Sequence, residues 1–444
     1  MDMINSKAVI LLENREALRV AASAARISTQ QGTALSIYEG SRGDEKDLRL
    51  IDKVLSSGHK SVIEHQTFSL AFNDVSVLVE QFVIEARLAS FTVKSRRYVD
   101  FAGAGYVRPE LDPAQRAIYD AVMERRFADY QALMEMGVPK EDARFVLPYC
   151  LRSNFYMTLD ARELIALICA MLWGRGSGYP ELARLGEQLK AQFDALYPGV
   201  IDREAGRCAA PRASTYAVDG LDGAPRACVG DAELISAPSD AMGLLGRAMA
   251  FSGRFELPEG KPDAASLRAL MTDGRPRELE LLDYVFAVKN ISLACLTHFT
   301  RHRIDSPLIP AVGSALTGGR YVLPESVRAL PKAEELYRAA FEDERQAALA
   351  LVRTGISWEN LSYLAMSGHE LDILLGMNAR QLQHFMKLRT CQRAQWEIRG
   401  VAEKMLELLN AQTPEIFRFF GPSCRLAPCP EGRMSCGQPR TMPK

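Results

Sequence analysis

The chain has no excess of charge of either sign. Its 444 residues include 54 Lys and Arg against 55 Asp and Glu. Composition therefore gives no indication of a nucleic-acid or membrane surface, and any anion site has to be local. Long apolar runs are also missing: the longest, at 164–173, has ten residues, whereas a membrane helix needs about 20. The first residues, with an early Asp and a short apolar run, are unlike a secretory signal.

Paired cysteines and common nucleotide motifs are scarce too. The nine cysteines are an odd number, and most stand alone in the sequence. This pattern is typical of a reduced protein and predicts a cytoplasmic location. No GxxxxGK[ST] loop occurs, and "GAGYV" (103–107) lacks the third glycine and the helix pattern of a dinucleotide-binding turn. Cys150 has no adjacent His in the sequence that would activate it as a nucleophile.

What the sequence does contain is an internal repeat. Residues 8–28, a short apolar segment followed by a small-residue helix pattern, recur 224 positions later at 232–252. A strand pattern at 64–76 recurs 216 positions later at 280–292. Three shorter landmarks follow in the same order. Such order predicts a tandem duplication, although two unrelated domains of similar periodicity are the alternative.

The repeat predicts a division of the chain into four parts. The first repeat is expected at 1–198 and the second at 231–420, each with a few strands followed by helices. The segment 199–230 between them is rich in Ala, Pro, Gly and Arg and lacks periodicity, as a linker does. A cysteine-containing tail occupies 421–444.

A run of basic residues, Arg301, His302 and Arg303, interrupts the second repeat. Adjacent cations repel one another, and an anion such as phosphate or the edge of an anionic heterocycle would relieve that repulsion. A solvated surface loop is the alternative interpretation.

A single long helix is predicted from Asn378 to Gln412, where Pro414 ends it. Its first turns carry polar groups beside an apolar stripe, because residues three, four and eleven apart share a face. These polar groups are Asn378, Arg380, His384 and Arg389. An ordinary solvated helix edge would look similar.

Two segments invite a metal-binding hypothesis. "GHKSVIEH" (58–65) has a His-Glu-His outline, but its spacing fits no common zinc or iron motif. A capped helix end with solvated histidines, or a ligand contact, is the alternative there. The tail offers three thiols that could hold zinc if a fourth ligand came from elsewhere, or that could be free or face a partner: Cys424, Cys429 and Cys436.

Together these motifs resemble the flavin-dependent thymidylate synthases. That family has a His-x-Ser/Thr-x-x-Glu-His segment, Arg-His-Arg, Ser-x-Arg-Tyr, and a late Asn-x-Arg followed by Leu-Arg and Ala-Gln-x-Glu-Ile-Arg. Residues 378–399 match the late motif nearly whole. The resemblance implies an α+β fold in two tandem copies, each a small, mostly antiparallel sheet packed with long helices.

The two repeats match the family unevenly. The first keeps 59–65, Ser95-x-Arg97-Tyr98 and Arg144, but has Glu85-Ala86-Arg87 in place of Arg-His-Arg. It also has Met171 where the second repeat has Arg389, whereas the second has Ser362 where the first has Arg144. Complementary losses imply one type of competent site per chain, built from residues of both repeats.

The resemblance implies reductive methylation of dUMP to dTMP, with FAD, NADPH as reductant and methylenetetrahydrofolate as carbon donor, and without a Cys nucleophile. Arg389 would be catalytic, stabilising negative charge on the uracil ring. The residues implied to bind dUMP are Ser95, Arg96, Arg97, Arg144, His298, Arg301 and Arg389. Those implied to hold FAD are His59, Ser61, Glu64, Arg301, His302, Arg303, Asn378, Arg380 and His384.

Departures from the family leave other functions open. His298 stands where the family often has Gln, and Val93 where it commonly has an acid or Gln. A different pyrimidine nucleotide as substrate, or a non-catalytic flavin- or nucleotide-binding protein, is therefore an alternative. Because family members with one repeat assemble as tetramers, two repeats per chain imply a homodimer that forms a pseudo-tetramer.

Overall fold

The computed structural model describes most of the chain, namely residues 5–13, 16–205, 219–257 and 261–442. The strands are β1 Lys7–Glu13, β2 Thr67–Ser76, β3 Ala89–Val93, β4 Arg152–Asp160, β5 Arg226–Cys228, β6 Asp231–Ser236, β7 Asp283–Ser292, β8 Ser306–Leu308, β9 Arg320–Val322 and β10 Glu370–Asn378. The helices are α1 Ala17–Ile27, α2 Ala34–Gly40, α3 Glu45–Ser56, α4 Val77–Ile84, α5 Pro113–Glu135, α6 Lys140–Ala143, α7 Ala161–Leu172, α8 Pro180–Asp194, α9 Val200–Glu204, α10 Ala241–Ser252, α11 Ala264–Thr272, α12 Leu293–Phe299, α13 Gly313–Thr317, α14 Glu325–Arg328, α15 Pro331–Arg353, α16 Trp358–Leu361, α17 Ala379–Arg389, α18 Trp396–Gln412 and α19 Pro414–Phe417. In the described part of the chain, none of these helices has the length and apolar character of a membrane span.

The chain folds into two compact units that do not coincide with the two predicted repeats. Unit 1 comprises Met1–Ala217 and Leu330–Met366, and unit 2 comprises Val218–Ala329 and Ser367–Lys444. The second repeat, predicted at 231–420, is therefore divided between the units. Within the predicted linker, residues 206–218 lie outside the described residues.

Each unit contains one four-stranded antiparallel sheet with the same strand order. In unit 1 the order is β1-β2-β4-β3, and in unit 2 it is β6-β7-β10-β8. The two predicted strands, at 64–76 and 280–292, are present as β2 and β7. Helix α8 packs against β1, and α18 packs against β6. The predicted α+β fold in two tandem copies is confirmed.

Equivalent side chains form the core on the central strands. In β2 the alternating side chains of Phe68, Leu70 and Phe72 are buried, and 216 positions later the side chains of Tyr284, Phe286 and Val288 are buried in β7. Period-two alternation places such residues on one face of a strand.

The central strands also share an irregularity. Asp74 and Asn290, 216 positions apart, have φ angles of 51° and 55°, a left-handed conformation that Asn and Asp tolerate better than most residues. The amide of Asp74 donates to Asn154 at 3.0 Å, and the amide of Asn290 donates to Asp372 at 2.7 Å. Because Asn154 and Asp372 are themselves 218 positions apart, the duplication extends to single hydrogen bonds.

The predicted long helix from Asn378 to Gln412 is wrong, because the chain forms two helices, α17 and α18, with a break at 390–395. The side chain of Gln395 accepts hydrogen bonds from the amides of Glu397 (3.0 Å) and Ile398 (3.1 Å). Such a cap satisfies the free amides at a helix start and fixes a new N-terminus there. The predicted end at Gln412 is correct.

Candidate active site

An open cavity of about 930 Å³ lies in unit 2. Its walls come from the loop that follows α11, from the chain that follows α12, and from one face of α17. Seven residues predicted to be functional line it: Arg301, His302, Arg303, Asn378, Arg380, His384 and Arg389. The structure thus brings together two motifs that are separated by more than 70 positions in the sequence.

The start of α17 fixes one end of this cavity. Asn378 caps the helix: its side-chain oxygen accepts from the amide of Gln381 at 3.0 Å, and the Gln381 side chain accepts from the Asn378 amide at 2.9 Å. This reciprocal pair is a capping box. Gln381 also donates to the carbonyl of Ile304 at 2.9 Å. The same cap that begins the helix therefore anchors the chain that carries Arg301, His302 and Arg303.

Arg389 and His302 form the central contact of the cavity. Nε of Arg389 donates to Nε2 of His302 at 2.9 Å, and Nη2 of Arg389 donates to the carbonyl of His298 at 3.2 Å. Burial, with Arg389 and His384 acting in the same direction, lowers the pKa of His302 to about 2. His302 is therefore neutral near pH 7, which allows it to accept a hydrogen bond from the arginine.

Further charged groups surround this contact. Arg380 forms an ion pair with Glu280. The pKa of His384 is lowered by burial and by the charges of Lys387 and Arg389. Burial also lowers the pKa of Lys387, whose Nζ donates to Gln383 at 3.4 Å. Sequence reasoning missed Lys387 and Gln381, although their spacing from Asn378 and His384 on one helix was available as a signal.

The structure does not bring His298 to the cavity wall. Its side chain is buried within α12, and it is not among the described residues that line the cavity. Every residue of α12 is buried. Its carbonyl, which accepts from Arg389, connects His298 to the site.

A second basic group lies in unit 1. Arg96 forms a buried ion pair with Glu80 at 2.7 Å, and Arg97 pairs with Glu141 at 2.6 Å. The amide of Arg97 donates to the Ser95 side chain at 3.3 Å. These predicted residues therefore adjoin one another, with Arg96 held by Glu80 and Arg97 by Glu141.

Arg144 completes this basic group. It is 3% exposed, and its Nε donates to the carbonyl of Glu141 at 3.0 Å. Burial lowers the pKa of Arg144 to about 10, with Arg96 and Arg97 acting in the same direction. Its Nη2 is buried with no hydrogen-bond partner among the described residues. Because leaving a buried charged donor unsatisfied is costly, this nitrogen suits an anionic ligand.

His59, Ser61 and Glu64 are exposed on unit 1 around the 3₁₀ turn Lys60–Ile63. Glu64 accepts from Arg162 at 2.6 Å. The tail cysteines differ in environment: Cys424 is buried, Cys429 intermediate and Cys436 exposed. Over the described residues, no group of three or more His, Cys, Asp or Glu is placed to hold a metal ion. The suggested zinc site in the tail therefore finds no support.

At positions equivalent to two site residues, the other repeat has buried side chains that contribute to packing. Met171, equivalent to Arg389, is 0% exposed. Ser362, equivalent to Arg144, is buried and donates to the carbonyl of Trp358 at 2.8 Å. Each repeat has thus lost one arginine that the other retains, and a buried uncharged side chain, Met171 or Ser362, stands in its place.

Comparison with known proteins places the chain in a family. The sequence model described as "Thymidylate synthase complementing protein" matches residues 10–199 and again 233–415. The flavin-dependent thymidylate synthase of Geobacter sulfurreducens is 38% identical over 177 residues, which cover 39% of this chain and 76% of the relative. The chain belongs to the flavin-dependent thymidylate synthase family. The two separate matches confirm the tandem duplication, and the predicted enzyme class is confirmed with the family.

A further relative and a solved structure are similar to comparable parts of the chain. The flavin-dependent thymidylate synthase of Clostridium tetani is 31% identical over 195 residues, covering 40% of this chain and 78% of the relative. Among solved structures, Thymidylate Synthase X from Helicobacter pylori, determined with FAD and dUMP, covers 44% of this chain and 99% of that chain. Its sequence identity is 18% and its TM-score 0.36.

Proposed function

We propose that the chain catalyses the FAD-dependent reductive methylation of dUMP to dTMP, with NADPH as reductant and methylenetetrahydrofolate as carbon donor. The observation that carries this proposal is the cavity of unit 2, in which Arg389 is fixed against neutral His302. The proposal rests further on membership of the family and on the basic group of unit 1.

The cavity of unit 2 suits an anionic dinucleotide. Its volume of about 930 Å³ lies at the upper end of ordinary ligand pockets. Five cationic side chains line it against three acids: Arg301, Arg303, Arg380, Lys387 and Arg389, against Asp273, Glu280 and Asp305. Arginine forks match phosphate oxygens in geometry and charge. When bound, the flavin supplies the hydride chemistry, and the protein supplies orientation and charge.

Arg389 has the properties of an electrostatic catalyst. A guanidinium keeps its proton, so it serves neither as base nor as nucleophile, and its value lies in fixed positive charge. Two hydrogen bonds, to His302 and to the His298 carbonyl, hold its orientation. Fixed charge of this kind stabilises negative charge that develops on a substrate such as an activated uracil ring.

The basic group of unit 1 is proposed to bind dUMP. Buried Arg144 has an unsatisfied nitrogen, and Arg96 and Arg97 add charge beside it. A nucleotide phosphate would complete these donors. We propose that catalysis requires residues of both repeats and that the active protein is a homodimer. His59, Ser61 and Glu64 remain predicted FAD contacts, and the cytoplasmic location remains a prediction.

A mechanism without a Cys nucleophile agrees with the state of two thiols, those of Cys150 and Cys228. Burial raises the pKa of Cys150 well above its usual range, and burial raises the pKa of Cys228 to about 12. A cysteine acts as a nucleophile through its thiolate. Neither thiol is therefore suited to attack the uracil ring.

The test is dTMP formation by the purified protein with dUMP, methylenetetrahydrofolate, FAD and NADPH. Arg389→Ala should lower kcat by roughly 10²–10³-fold, the usual effect of removing one transition-state donor. Arg338→Ala, an exposed arginine on α15, is the matched control and should leave turnover unchanged. A wild-type protein that binds FAD but forms no dTMP would overturn the proposal.

The same assay with UMP in place of dUMP tests the alternative substrate. His298 and Val93 motivated that alternative, but neither is among the described residues that line the cavity, and the side chain of His298 is buried. We therefore expect turnover with dUMP to exceed turnover with UMP. The reverse preference would assign a different pyrimidine nucleotide to this chain.

A further inference from the structure

Two equivalent helices of the repeats pack against each other within unit 1. Helices α5 and α15 are each 23 residues long and begin at equivalent prolines, Pro113 and Pro331. They are 218 positions apart, the same offset that relates α7 to α17. Both lie in unit 1, because Leu330–Met366 belongs to that unit. The two repeats therefore meet here through the same element.

A second contact shows that equivalent residues face each other in this region. Pro148 and Met366, again 218 positions apart, form an antiparallel bridge. The amide of Tyr149 donates to the carbonyl of Ala365 at 2.8 Å. Contact between equivalent positions is the property of residues near a two-fold axis. Helices α5 and α15 are thus related by an internal pseudo-two-fold axis.

Two pairs of equivalent residues near this axis are basic on α5 and acidic on α15. Arg125 is equivalent to Asp343, and the two form a bidentate ion pair with distances of 2.8 and 2.9 Å. Arg126 is equivalent to Glu344, and their charged groups lie 3.8 Å apart. Arg126 is 2% exposed and Glu344 is 0% exposed. At two adjacent positions, the first repeat carries two arginines where the second carries two acids.

Arg126 is held mainly by acids of both helices. Its Nη2 lies 2.8 Å from Asp343 and 2.9 Å from Asp129. Burial raises the pKa of Glu344 to about 8, and the charge of Arg126 opposes that rise. An acid in place of Arg126 would remove this opposition, and an arginine in place of Glu344 would put two buried cations together.

We propose that this charge reversal is a pairing code that admits first-repeat helices only against second-repeat helices. Pairing α5 with a second α5 would bring Arg125 and Arg126 against the same arginines. Pairing α15 with a second α15 would bring Asp343 against the same acid and would leave buried Glu344 without Arg126. Repulsion between like charges excludes both homotypic interfaces, and the heterotypic interface alone is complementary. The partner that this surface fits is therefore the other type of repeat.

One-sided charge reversals of the full chain recreate the two excluded interfaces. Arg125→Asp with Arg126→Glu gives acids on both helices, and Asp343→Arg with Glu344→Arg gives arginines on both. Each double variant should lower Tm by about 10 °C, the order expected when a buried ion pair is broken in a domain of this size. The fourfold variant, which exchanges the charges, should recover more than half of either loss.

Two outcomes would overturn the proposal: one-sided variants that unfold within about 2 °C of wild type, or a fourfold variant whose loss equals the sum of the two. If the buried changes prevent folding, the half-exposed pair gives the same cycle through Arg125→Asp, Asp343→Arg and their combination. Here rescue in the combination is expected, and its absence refutes the code.

Arg338→Glu is the matched control for this cycle. Arg338 lies on α15 and pairs with Glu334 of the same helix at 2.7 Å, so reversing its charge does not alter the axis. We expect a smaller loss of Tm, and no rescue when it is combined with Arg125→Asp. The readout is thermal unfolding, so the pairing code is tested independently of synthase activity.

Discussion

Helices α7 and α17 occupy equivalent positions in the two repeats, but α7 carries an apolar residue where α17 carries a charged one. Each follows a central strand and begins with a side-chain cap: Asp160 accepts from the amide of Glu163 at 2.9 Å, and Asn378 accepts from that of Gln381 at 3.0 Å. Towards its end, α7 buries Met171, whereas α17 presents Arg389 to the cavity.

The comparison separates the features that maintain the fold from those that carry chemistry. Caps, buried alternation and the left-handed residue of the central strand are present in both repeats. Charged groups of the proposed site are divided between them, with Arg144 retained in one and Arg389 in the other. In a duplicated fold, both repeats therefore have to retain the residues that pack the core, whereas each binding residue has to be retained in only one repeat.

The largest effect should come from a structural contact common to both repeats. Buried Glu181 accepts from the amide of Ser76 at 3.0 Å, and its equivalent, Glu397, accepts from that of Ser292 at 2.7 Å. Replacing either glutamate by Ala leaves a buried amide without its partner, and should cost about 3 kcal/mol of unfolding free energy. Urea denaturation measures this loss.

Exposed Glu325 is the control for these two variants, since Glu325→Ala should change stability by less than about 0.5 kcal/mol. Each glutamate also accepts from a hydroxyl, Glu181 from Tyr363 at 3.0 Å and Glu397 from Ser292 at 2.5 Å, so the two variants should lose similar stability. Equal behaviour of Glu181→Ala and the exposed control would contradict the structural equivalence.

The next effect concerns the charge that the first repeat alone retains. Arg144→Ser gives this repeat the residue that the second has at the equivalent position, Ser362. Loss of a buried guanidinium contact to phosphate should weaken dUMP binding roughly 10–100-fold. Calorimetric titration of dUMP into FAD-loaded protein measures it. Arg108→Ser, which removes an ion pair with Asp120 in the same unit, should leave the affinity for dUMP unchanged.

Much of the fold could be predicted from sequence because its signals are local. Alternating apolar residues identified β2 and β7, and equal spacing of short motifs identified the duplication. The break between α17 and α18 was missed because it depends on the side chain of Gln395 capping the next helix, in a stretch without Gly or Pro. From the sequence alone, a glutamine that caps a helix cannot be distinguished from a glutamine inside a helix.

Other features depend on contacts that are remote in the sequence. Membership of 330–366 in unit 1 follows from α15 packing against α5, more than 200 positions earlier. The motifs of the second repeat could be found from the sequence because they are short and charged, and the structure places them around one cavity. The burial of His298 could not be predicted from its place before the basic run, because it depends on the packing of α12, which is buried throughout.

A smaller effect compares the two caps. Asp160→Ala and Asn378→Ala should each cost about 1 kcal/mol of stability, because each removes one N-cap hydrogen bond. Only Asn378→Ala should also reduce FAD retention, since its capping box with Gln381 anchors the chain beside the cavity. Urea denaturation and the absorbance of bound flavin distinguish the two results. Equal FAD retention in both variants would show that the Asn378 cap does not contribute to FAD binding.

The smallest effect is a change in acid sensitivity. The pKa of His302 is lowered from its ordinary value of 6.5 to about 2, chiefly by burial. Between these values the unfolded chain binds a proton that the folded chain does not, so stability is lost as pH falls from about 6.5 towards 2. His302→Gln removes this contribution while leaving an acceptor for Arg389. The decrease in Tm between pH 7 and pH 5 should therefore be smaller in the variant than in wild type. If Tm decreases by the same amount in both proteins, His302 is not held neutral by the folded site. Arg389 would then lack the acceptor that fixes it on α17, and α7 has no such contact at the equivalent residue, Met171.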